Sequence, residues 1–127
     1  MRRMCAAISA AVFVAALAAP AFAAQETVKG QIVDQACYTK NKANTGATHD
    51  MGGKQVEDCA AACAKKGAPM ALLTSDGKVY QITGDLAANM NEKLVPHISH
   101  TVEISGDVTS TDGKMTIASN SLKMISR

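Results

Sequence analysis

Beyond its N-terminal apolar segment the sequence predicts a mainly β fold, an OB-type five-stranded barrel with a helical, cysteine-containing insert between the first and second strands. Three observations lead there. Asp76-Gly77 and Asp112-Gly113 each sit between short runs of aliphatic and β-branched residues, the pattern of a hairpin turn. Leu86, Met90 and Leu94 recur every four residues between those two hairpins, which predicts one amphipathic helix ending before Pro96. The order strand, insert, strand, strand, helix, strand, strand is, with the insert set aside, that of an OB barrel whose helix plugs one end. An open antiparallel sheet packed on two helices uses the same elements and stands as the alternative.

The N-terminus reads as an export signal. Arg2 and Arg3 are followed by an uncharged run from Cys5 to Ala19, and Ala21 and Ala23 supply the small side chains of a cleavage site. Residues 1–23 are therefore expected to be a signal peptide cut after Ala23, leaving 24–127 as a single domain in the periplasm or secreted. A retained anchor needs roughly 18 uninterrupted apolar residues, and this run reaches Gln25-Glu26 too soon. Cys5 precedes the apolar run and cannot serve as a lipidated cysteine, so no membrane anchor is expected after cleavage.

The remaining elements follow in order. Residues 27–36 predict a first strand, with Gly30 interrupting the alternation as a bulge would. Residues 39–53, rich in Lys, Asn, Thr and Gly, predict a polar loop that carries His49. Residues 54–66 are alanine-rich, acidic at the front and basic at the back, and predict a helix capped by Gly67 and stopped by Pro69. The insert thus spans 39–66. Residues 70–83 predict a hairpin joined by a two-residue Asp-Gly turn, and Asp85 is expected to cap the second helix. Val102, Ile104 and Val108 form the next strand, Met115 and Ile117 the return, and Leu122 and Met124 extend it. Met70, Met90, Met115 and Met124 fall on apolar positions and are expected in the core.

Charge and composition exclude several functions. The chain has 127 residues with 13 Lys and Arg against 11 Asp and Glu, and Arg2 and Arg3 account for the whole excess. The remainder is balanced and offers no basic face to nucleic acid. It has no tryptophan, and Tyr38 and Tyr80 are its only aromatics beyond Phe13 and Phe22. Single-strand binding needs stacking platforms that are missing here. No Ser-His-Asp order, phosphate-cradling glycine loop or HExxH helix occurs, so an enzyme is not the expected reading.

What remains is a constellation of sulfur and imidazole. Cys59 and Cys63 are i and i+4 on the alanine-rich helix and project from one face, Cys37 is expected at the end of the first strand, and His49 lies in the loop between them. Three sulfurs and one imidazole are the ligand set of a Zn²⁺ site and are acceptable to Cu(I). Met51 adds a thioether near His49, and Asp34 is placed to orient the histidine or to cap a turn. The competing reading is a staple: Cys37 bonded to either helical cysteine, worth about 3 kcal/mol by loop closure, in an adaptor that contacts a protein partner and binds no metal. A redox thiol pair is a third reading, weakened because Cys59 is expected well inside the helix rather than at its start. His97 and His100, on a connector, are expected to be solvated.

At Asp34-Gln-Ala-Cys37-Tyr38, and again from Cys59 through Cys63, Gly67-Ala-Pro69 and Leu72-Leu73-Thr74 to Asp76-Gly77-Lys-Val-Tyr80, the chain resembles a group of small exported bacterial proteins of unknown function. The resemblance spans about residues 28–126 and implies that the three cysteines and His49 belong together. The fold is also similar to small periplasmic OB-barrel copper chaperones. Those bind metal through barrel strands and an aromatic lid, whereas here the sulfurs lie in the insert.

Overall fold

The computed structural model describes residues 23–127; the expected signal peptide, residues 1–23, lies outside them except for Ala23. In chain order the elements are β1 (Ala24–Asp34), α1 (Gln35–Lys40), β2 (His49–Asp50), β3 (Gln55–Val56), α2 (Cys59–Lys65), β4 (Met70–Leu73), β5 (Val79–Thr83), α3 (Ala88–Asn91), β6 (Thr101–Thr111), β7 (Lys114–Ala118) and β8 (Leu122–Ser126). Among the described residues no helix is long and apolar enough to cross a membrane.

Five strands close on themselves in the order β1, β4, β5, β7, β6 and back to β1, so the barrel is the OB-type one that the element order predicts. All pairings are antiparallel except β5 with β7. β1 makes closure possible by serving two partners. It pairs with β6 from Ala24↔Val108 to Gln31↔Thr101, then with β4 from Gln31↔Leu73 to Asp34↔Met70. Gly30 stands just before that change of partner. The register runs through it unbroken as Gly30↔Val102, so it is not the expected bulge. Glycine is required there because a Cβ would lie 2.5 Å from the Leu73 carbonyl oxygen.

Alternation fills the barrel with Ile32, Leu72, Ile82, Val102, Ile104 and Ile117, all essentially inaccessible, and α2 closes one end with Ala60 and Ala64. The small side chains let the helix axis come close to the sheet. Gly67, at φ +82°, ends α2 in a Schellman arrangement, with Gly67 N–H donating to the Ala64 carbonyl and Ala68 N–H to the Cys63 carbonyl.

Several expectations give way to the structure. The stripe Leu86, Met90, Leu94 does not lie on one helix. A 3-10 turn (Gly84–Ala87) leads into α3, where Asn89, Met90 and Asn91 adopt left-handed φ, and a second 3-10 turn (Val95–His97) follows. Asp85 makes no cap: the residue before the turn is Thr83. Leu86 and Leu94 are buried as expected, but Met90 is 65% exposed. The break serves Asn91, whose buried amide donates to the carbonyls of Ala64 and Ala68, both 2.9 Å away, and so ties the connector to the end of α2. The Asp76-Gly77 hairpin has a three-residue loop, with the Thr74 and Lys78 backbones bonded and Gly77 left-handed. Asp112-Gly113 is the two-residue turn foreseen, both residues at positive φ. Leu122 and Met124 do not extend β7. They belong to a separate strand, β8, on the edge of β6.

Candidate metal centre

The insert between β1 and β4 is more structured than a polar loop. Asp34 ends β1 and caps α1, its carboxylate accepting from the Cys37 N–H at 3.0 Å. Cys37 therefore sits in the first turn of a short helix, not at the end of a strand. β2 and β3 form a small hairpin in which His49 pairs with Val56. The expected helix over 54–66 begins only at Cys59, because Asp58 takes a left-handed conformation. Cys59 is thus the first residue of α2, not an interior one.

These local choices bring three chemistry-bearing atoms together. One ligand atom from each of Cys37, His49 and Cys59 lies within 4.8 Å of the other two, a group that could hold a metal ion. Cys37 and His49 are buried and Cys59 is half-buried. None of the three cysteines among the described residues is joined to another, so the stapled arrangement is not formed. Cys63, one turn along α2, stands outside the three-atom group. It lies beside Asp34, within electrostatic reach of the other two thiols.

His49 is fully buried, and its Nε2 is 2.9 Å from the Gly46 carbonyl oxygen. A carbonyl only accepts, so Nε2 carries the proton and Nδ1 is left with a bare lone pair. That Nδ1 is buried and has no partner. Leaving a buried acceptor unsatisfied costs about 1–3 kcal/mol, and a carbonyl holding the far nitrogen is the usual support behind a metal-bound imidazole. The donor set therefore fits a metal.

Cys37 and Cys63 are held toward the protonated form. Burial, reinforced by Asp34 and by Cys59, pushes the Cys37 thiol up to about 11 from an ordinary 9.0. Burial, with a hydrogen bond to Asp34, pushes Cys63 up to about 12. Each negative charge in the cluster raises the cost of the next, a conflict that a bound cation removes.

Asn44 is the residue that sequence reasoning missed. It is buried, its Nδ2 donates to the Asp50 carbonyl at 3.2 Å and its Oδ1 accepts from the Asp50 N–H at 2.9 Å. The same Nδ2 lies 3.5 Å from the Cys37 carbonyl. One side chain thus locks the His49 hairpin to α1, and nothing in a polar run of Lys, Asn and Thr singles it out. Beside the cluster opens a cleft of about 470 Å³ lined by Cys37, Asn44, Met51 and the Gly52-Gly53 tip. Met51 is 44% exposed there. Compared with protein-family models, curated proteins and solved structures, the chain matches none.

Proposed function

We propose that the chain is an exported module, periplasmic or secreted, that holds one thiophilic metal ion, Cu(I) or Zn²⁺, for storage, delivery or structure. The observation that carries this reading is the fully buried His49, with Nε2 held by a carbonyl and Nδ1 unpartnered, beside two free thiols. Cys37, His49 and Cys59 are the proposed core of the site. Cys63 is the proposed fourth ligand, and Met51 at the cleft supplies a soft alternative donor if copper is the ion. The resemblance to small exported proteins with the same Cys, His and Cys-x3-Cys pattern supports grouping these residues.

A redox function gains one point and loses another. Cys59 at the start of α2 is better placed than the sequence suggests, yet a reactive cysteine needs a lowered thiol pKa, and its neighbours Cys37 and Cys63 are pushed upward. Metal binding does not share that difficulty, because the ion displaces the protons.

Native mass spectrometry of the protein isolated from its own compartment, with thiol counting before and after chelation, tests the proposal. A bound ion whose removal by the chelator leaves three alkylatable thiols is expected. Cys37 and one helical cysteine blocked to alkylation with no metal present would establish the stapled adaptor instead.

A further inference from the structure

The connector between α3 and β6 holds a second cluster that the thiol site does not use. His97 and His100 are half-buried rather than solvated, and the Nδ1 atoms of both rings, together with Ser99 Oγ, are buried without a hydrogen-bond partner. Three orphaned polar atoms within four residues are a concentration of unpaid desolvation that native structures ordinarily relieve with a water or an ion.

The backbone that carries them is fixed. His97 to His100 form a tight turn: the His100 N–H donates to the His97 carbonyl at 3.0 Å, Ile98 has φ −57° and ψ 133°, and Ser99 has φ +68°. These are the angles of a type II turn, whose third position ordinarily goes to glycine or asparagine. A serine there is strained, and the surroundings hold it. Ser99 N–H donates to the Ile32 carbonyl at 2.9 Å, Ile32 N–H donates to the His100 carbonyl at 3.1 Å, and Gln31 Nε2 donates to the Ser99 carbonyl at 2.9 Å. Ile98 anchors the turn in the core. Both rings are thereby carried on β1 as on a rigid frame.

The turn brings its first and fourth side chains to one side. The two ring centroids are 6.1 Å apart at an interplanar angle of 72°. Imidazoles sharing one ion at a metal–nitrogen length of about 2.0–2.1 Å have centroids roughly 5–6 Å apart, close to the separation seen here. We propose that His97 and His100 form a second cation site through their Nδ1 atoms, with Ser99 Oγ beside it. Its donors are nitrogen and oxygen only, which suits a borderline divalent ion such as Zn²⁺ and not the soft monovalent ion that a thiol-rich site accepts.

Titration of the full chain with Zn²⁺ under reducing conditions, followed by long-range ¹H–¹⁵N spectra of the three imidazoles, tests this. The Nδ1 signals of His97 and His100 are expected to move together and saturate, in wild type and equally in Cys59→Ser, while loss of the His49 response in that variant reports the thiol site separately. His97→Gln is expected to abolish the shift at His100, and His100→Gln the shift at His97. Rings that stay unmoved at saturating Zn²⁺ would mean that a water occupies the turn and would overturn the site. So would one ring responding without the other, or a response that vanishes with Cys59→Ser.

Discussion

His49 concentrates the argument at the scale of single residues, because a buried imidazole whose Nδ1 has no partner is a cost the fold carries until something binds there. His49→Ala should therefore weaken metal binding strongly, and it should also destabilise the metal-free protein, because it leaves a cavity where a fully buried ring stood and removes the bond from Nε2 to the Gly46 carbonyl. A competition titration against a chelator, paired with urea melts of both forms, checks the two halves. Asn44→Ala should lower metal affinity without touching a ligand, since it releases the His49 hairpin from α1, and should destabilise the apo protein by about 1–3 kcal/mol through the polar groups it leaves unpaired. The thiols give a pH dependence. Burial pushes the Cys37 thiol up to about 11 and the Cys63 thiol up to about 12 from an ordinary 9.0, so folding favours their neutral forms. Their contribution is complete below the ordinary thiol pKa and is lost as pH rises through that interval. Urea midpoints of the apo protein should fall between about pH 8 and pH 11, and Cys37→Ser should flatten the slope. A midpoint that does not move in wild type would contradict the burial of these groups.

Elements were legible where one local device decides the outcome. Gly67 after a run of alanines, and Asp112-Gly113 between alternating strands, each produced the termination or turn that its backbone chemistry dictates. Periodicity failed at Met90 because the four-residue spacing says nothing about intervening residues that leave the helical region, and asparagine tolerates left-handed φ well. The two asparagines that flank Met90 were the available signal. Asp58 shortened α2 in the same way, and in doing so moved Cys59 from the helix interior to its start. Cys37, His49 and Cys59 were legible as a set of sulfur and imidazole, but their geometry was not: Asp34 caps a short helix where a strand was expected to continue to Cys37, and the β2–β3 hairpin is held by Asn44 on the Asp50 backbone, a bond that no pattern in the polar run marks. Leu94 and Met90 distinguish the two accounts of this segment. Leu94→Ala should cost about 2–5 kcal/mol by leaving a cavity, whereas Met90→Ala should be close to neutral. Equal losses in urea melts would restore the continuous stripe.

At the scale of the whole molecule the closed barrel and the insert divide the labour. The barrel is held by ladder pairing and an aliphatic core, and it presents α2 and the end of β1 as fixed walls. Between α1 and α2 the insert has only a hairpin of two-residue strands and little apolar burial of its own, so it should open locally at lower free energy than the barrel strands. Amide exchange of the apo protein should be fast over residues 41–58 and slow in β1, β4 and β6, and metal should slow the insert selectively. X-ray absorption at the zinc edge of the exported protein, loaded with one equivalent of Zn²⁺ under reducing conditions, tests ion binding at Cys37, His49 and Cys59. A mixed shell is expected, with sulfur at about 2.3 Å and nitrogen at about 2.0 Å, its sulfur component shrinking in Cys59→Ser and its imidazole scattering in His49→Ala. A shell of oxygen and nitrogen alone, unchanged in both variants, would contradict it.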